Sequence, residues 1–264
     1  MEELFTNLTK LYIDKCNIKQ LPKLQVLIVE DIYEEYLKSE LDEWRKSEIK
    51  RQKDIISGNN GLTIYPSNNR DYFIILISKE EIEKSQENNL LMICTLWHEL
   101  THVIDYQNFA NTFNNGNFEN IEKVENYMGF YFWTEYNAKK ISYKLYKDFF
   151  WEDKSNSEES LEYIRNTELE FQNENLRQQL LSYEHNLTQQ IYYIIHYLAR
   201  YSIWEELDPD YYKNGEQFPY WLGITSNNIL NLYIYMKELN CFDKAKDNFG
   251  KLVEKINALN KKVD

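Results

Sequence analysis

Glycine and proline are scarce, seven and four in 264 residues. That leaves little for a fold built on tight turns and suits a mostly helical chain. The three cysteines, Cys16, Cys94 and Cys241, are far apart and odd in number, and no C-x-x-C pair occurs. A disulfide framework is thereby excluded, and a reduced, cytoplasmic protein is expected. Basic residues are outnumbered, 30 Lys+Arg against 43 Asp+Glu, for a net charge of −13. A chain so acidic lacks the footprint for a nucleic-acid backbone or an anionic membrane surface, so neither partner is expected. No apolar run approaches the roughly 20 residues of a spanning helix. The opening Met-Glu-Glu-Leu-Phe has neither the positive nor the apolar region of a secretion signal.

What is present is enough apolar residue, 43%, to bury a full core in one large domain or two small ones. Residues 3–15 carry Leu4, Phe5, Leu8, Leu11 and Tyr12 at helical spacing. Leu24 to Glu30 reads as a strand, and residues 32–56 as one amphipathic helix ended by Ser57-Gly-Asn-Asn-Gly61. Residues 62–65 and 71–77 read as two further strands. Ser78-Lys-Glu-Glu81 has the spacing of a capping box and predicts a short helix, leading through residues 87–89 into a longer one. A polar loop is expected at 111–120 and a long aromatic helix from Glu122 to Phe149. After a loop at 153–157, helices are expected near 158–181, 186–206, 226–240 and 242–261, with Pro209 and Pro219 bracketing an irregular connection. The expected fold is α+β and predominantly helical: a small N-terminal sheet packed on helices in residues 1–152, then a helical subdomain in 153–264.

The stretch with chemistry in it is Leu90 to Asp105, which contains His98-Glu99-Leu100-Thr101-His102, an H-E-x-x-H pattern. Positions i and i+4 fall on one helix face, so His98 and His102 can turn two imidazoles on one metal ion. Glu99 is rotated away from the ligand row and can reach a water at the ion as general base. Two of the chain's four histidines are spent here, on a strongly apolar helix.

A catalytic zinc site needs a third protein ligand and an open position. Glu135 is the candidate: it lies on a separate predicted helix and can approach from another direction. Ala138, three residues on, is small enough for close helix packing. Asp105 is the rival, on the same face as the histidines, although three ligands on one straight helix make a poor tetrahedron. A partner to a ligand histidine's free N–H suits it better. Cys94 reads as core. His185, Tyr127 and Tyr131 are candidates for stabilising an oxyanion.

H-E-L-T-H followed by E-x-x-A on the next long helix resembles the gluzincin metallopeptidases, most of all the small intracellular bacterial and phage-borne members of the ImmA/IrrE type. The resemblance covers roughly residues 24–150; Thr101 stands where those members often carry glycine. It implies zinc held by His98, His102 and Glu135, with Glu99 as the base of a zinc metallopeptidase acting on a peptide or protein. The substrate is expected extended along the strand near 71–77. The alternative expectation is a zincin-fold module of a mobile element that binds metal without cleaving, with residues 151–264 as its partner surface.

Overall fold

Phe73–Ser78, the most apolar run of the N-terminal half, is the central strand of a mixed three-stranded sheet. The computed structural model that places it describes residues 2–40, 43–67, 70–84, 90–150, 158–225 and 227–259. The fold is α+β and predominantly helical. The chain divides into two compact units, Met1–Ile121 and Glu122–Asp264. The division expected after residue 152 falls inside the second unit. The connections expected at 87–89 and 153–157 lie outside the described residues.

In the first unit the strands are β1 (Leu24–Val29), β2 (Gly61–Ile64) and β3 (Phe73–Ser78), in the order β1-β3-β2. β1 runs parallel to β3 from Leu24 opposite Phe73, and β2 runs antiparallel from Gly61 opposite Ile77. β3 is therefore paired on both edges and buried on both faces, which is why its sequence does not alternate. This corrects one expectation. A peptide cannot add to the strand at 71–77, because neighbours already take its backbone groups.

Helices α1 (Glu2–Lys15), α2 (Ile32–Ser39), α3 (Glu43–Arg51), α4 (Lys53–Ser57), α5 (Lys79–Lys84) and α6 (Leu90–Phe113) complete this unit. One sheet face, with Ile64, Ile74 and Leu76, packs on Ile32, Tyr33, Ile49 and Ile56 from α2, α3 and α4. The other face, by the alternation of strands, is offered to α6. The single helix expected over 32–56 is three pieces. At Glu40 the backbone turns extended, φ −88° and ψ 131°. The buried Glu40 carboxylate lies 3.6 Å from the Arg45 guanidinium. An unpaired acid there would be costly, so the chain leaves the helix where the pair can form. The capping-box spacing at Ser78 also works differently. The Ser78 N–H donates to the Asn60 carbonyl as an extension of the sheet, and the buried Glu81 accepts from Thr95 on α6 at 3.3 Å.

The second unit consists of α7 (Tyr127–Phe150), α8 (Glu158–Tyr163), α9 (Leu169–Ser182), α10 (Leu187–Leu207), α11 (Pro209–Tyr212), α12 (Tyr220–Thr225), α13 (Asn227–Glu238), α14 (Phe242–Ala245) and α15 (Phe249–Ala258). α7 and α10 lie along one another and bury Trp133, Tyr197 and Trp204. The indoles are satisfied: Trp133 donates to the Leu239 carbonyl and Trp204 to the Tyr143 hydroxyl. Gly129 lets α15 come close, since a β-carbon there would stand 2.2 Å from the Phe249 carbonyl oxygen. Between α8 and α9 one π-helical turn, Ile164–Glu168, interrupts what the periodicity predicts as one helix. Both charged residues of that turn are paired: Glu168 with the buried Lys147 at 2.8 Å and Arg165 with Asp208 at 2.6 Å. No helix among the described residues is long and apolar enough to cross a membrane.

Candidate metal centre

α6 is apolar on nearly every side, and that decides where its few polar groups go. Leu96, Trp97, Leu100, Val103 and Phe109 are fully buried. Thr101 inside the motif donates to the Trp97 carbonyl at 2.8 Å and lies 2.9 Å from the Tyr12 hydroxyl of α1. The Trp97 indole donates to the Leu8 carbonyl, again on α1. These contacts fix the rotation of α6 about its own axis. Thr101 thus ties α6 to α1.

With α6 so held, His98 and His102 project from one face. Their Nε2 atoms lie 3.0 Å apart and the rings are nearly perpendicular, at 87°. Two nitrogens bonded at about 2.0–2.1 Å to one tetrahedral ion lie roughly 3.4 Å apart, so the pair is close to bidentate spacing. A single proton or a single metal ion can satisfy both lone pairs. His102 is buried and His98 half-buried. Asp105, one turn beyond His102, is buried too, and its charge adds to the burial that pushes the Tyr12 phenol well above its usual range.

Glu99 points toward the sheet edge. β2 carries Leu62 and Ile64 on the face that packs against α2–α4, so Gly61 and Thr63 face α6. Glu99 Oε2 lies 2.7 Å from the Thr63 hydroxyl. A β-carbon at Gly61 would stand 2.6 Å from Thr95 Cγ2 and 3.0 Å from both Glu99 Cγ and Oε1. The missing side chain is what admits the Glu99 carboxylate to this strand. Gly61→Val is expected to push Glu99 out of its seat and to lower the thermal midpoint by several degrees, because the added side chain meets Thr95 Cγ2 and Glu99. Thermal melts of the variant beside wild type check it; an unchanged midpoint would show that the seat is unimportant.

In the second unit, Glu135 of α7 and His196 of α10 meet at 3.0 Å, Oε2 to Nε2. Both side chains are nearly buried, at 12% and 13% exposure, and Ala138 one turn on is fully buried. Tyr192, one turn before His196, lies against its ring with centroids 4.1 Å apart. Tyr131, one turn before Glu135, has its phenol held well above the usual range, first by burial and then by the Glu135 charge. It therefore keeps its proton and can act as a hydrogen-bond donor.

Among the described residues, a His/Glu/His group could hold a metal ion. Of the sequence-derived candidates, His98 and His102 are paired in the first unit, and Glu135 is paired with His196 in the second. Cys94 on α6 is half-buried. His185 is 92% exposed beside Glu184, far too open to stabilise charge in a dry site. His196 was not singled out by sequence reasoning. It sits in Ile194-Ile195-His196-Tyr197, 61 residues beyond Glu135, with no local pattern to mark it. Compared with known proteins, the chain matches no family model, no curated protein and no solved structure.

Proposed function

We propose that this chain is a cytoplasmic zinc metallopeptidase of gluzincin type, with His98, His102 and Glu135 as zinc ligands and Glu99 as general base. The observation that carries the reading is the paired Nε2 atoms of His98 and His102 beside a buried Glu99 whose carboxylate is held at the sheet edge. A bound zinc ion would polarise the scissile carbonyl and bring the pKa of water down towards roughly 7. Glu99 takes a proton from the attacking water and hands it to the leaving amine. Tyr131, one turn before Glu135 on α7 and kept protonated by burial, is the candidate hydrogen-bond donor to the developing oxyanion. The substrate is an extended peptide or protein segment pairing with the outer edge of β2, the strand that touches Glu99, in place of the β3 edge expected from sequence.

A second reading is favoured by His196. It lies 3.0 Å from Glu135, so it would be a further imidazole donor beside that carboxylate; a fourth protein donor would close a tetrahedral site and suit a regulatory or interaction module of a mobile element that binds metal without cleaving. Incubation of the purified protein with a peptide library separates the two. Cleavage abolished by a chelator and restored by zinc supports the peptidase; stoichiometric zinc with no cleavage supports the closed site.

A further inference from the structure

We infer that Thr63 of β2 is a positioning residue for the general base, and that this edge strand aims Glu99 as well as offering a backbone to substrate. The inference rests on the peptidase reading for its function and on unit-one geometry for its contact. The Thr63 hydroxyl lies 2.7 Å from Glu99 Oε2 and 3.1 Å from the Glu99 carbonyl oxygen. A hydroxyl has one proton to give. The carbonyl is already an acceptor in the α6 ladder, whereas the carboxylate gains most from a charge-assisted bond, so the proton goes to Oε2. That bond fixes one carboxylate oxygen against the strand.

Gly61 complements it. Oε1 lies 3.0 Å from where a Gly61 β-carbon would be, so the strand offers a donor at one position and open space two residues before it. The pattern Gly61-x-Thr63 on the α6-facing side is a slot for a carboxylate, with Leu62 and Ile64 anchoring the strand from behind. Without the hydroxyl, the Glu99 side chain regains rotamers that its burial alone does not exclude. A base that must take a proton from one direction and deliver it in another loses rate when its aim is lost, although its basicity persists.

The test uses Thr63→Val, which keeps shape and strand preference but has no donor, and Thr63→Ser, which keeps the donor. With a cleaved peptide in hand, T63V is expected to lower kcat by roughly 10- to 100-fold with KM within about twofold of wild type, and T63S to return kcat to within about threefold. An unchanged kcat in T63V, or equal losses in T63V and T63S, overturns the inference. A second arm needs no turnover. Infrared difference spectra of glutamate-13C-labelled wild type against Glu99→Gln isolate the Glu99 carboxylate stretch in the metal-free protein. T63V is expected to shift that band and T63S to keep it; an unmoved band in T63V overturns the inference. Wild type that holds zinc and cleaves nothing overturns the peptidase reading alone, and the infrared arm still decides whether Thr63 aims Glu99.

Discussion

Glu99→Gln is expected to bind metal as wild type does, within about threefold, and to lose turnover by roughly 10²- to 10⁴-fold. The substitution is the cleanest available because of where Glu99 sits. Glutamine has the same length and volume, so it fits beside Gly61, and its amide oxygen can still accept from Thr63. What it loses is the ability to take a proton. Alanine would instead leave the Thr63 hydroxyl facing a hole in a buried region, mixing packing with chemistry. Zinc titration by calorimetry, circular dichroism and peptide cleavage on the same preparation give the three readouts. Wild-type turnover in the Gln variant would remove Glu99 from the mechanism and the peptidase reading with it.

The features legible in the sequence were those that depend on local pattern. α6 and α7 begin and end within a few residues of expectation, because each is a long apolar or aromatic stretch free of helix breakers over most of its length. β3 was legible as a strand, yet its place was not. An all-apolar strand is central because both faces and both edges are taken, and that follows from β1 and β2 pairing with it from opposite sides. Residues placed by a specific partner rather than by local periodicity were the ones missed. Glu40 breaks its helix to meet Arg45, and the π turn at Ile164–Glu168 carries Glu168 and Arg165, paired with Lys147 and Asp208. Thr63 reads as an ordinary β-branched strand residue until Glu99, 36 positions on, is placed against it. His196 reads as one histidine in a core helix until α10 is laid on α7 and its ring meets Glu135. The candidate residues were therefore partly visible: the i, i+4 histidines and Glu135 could be picked from pattern, whereas Thr63 and His196 are marked only by the partners they meet within their own units.

His98→Ala and His196→Ala separate two roles a histidine can play here, ligand on the motif helix and partner of Glu135 at 3.0 Å. If His98 is a ligand, H98A is expected to weaken zinc binding by at least roughly 10³-fold, about 4 kcal/mol, and to abolish cleavage. The loss should leave the fold intact. His98 is only half-buried, and alanine is the best helix former, so circular dichroism and thermal midpoint should stay near wild type. If His196 acts on the ion only by holding Glu135 through its 3.0 Å contact, H196A is expected to cost about 10- to 100-fold in zinc affinity, the range for a partner of a ligand. The ratio of the two losses is the informative quantity. A large gap leaves three protein ligands and a coordination position open to water, which a hydrolase requires. Equal losses make His196 a fourth ligand and close the site. X-ray absorption on the zinc-loaded protein gives an independent count, since two imidazoles fit the open site and three the closed one. Undiminished zinc affinity in H98A would mean that the motif histidines hold no ion, and every hydrolytic role assigned to this helix would fall with them.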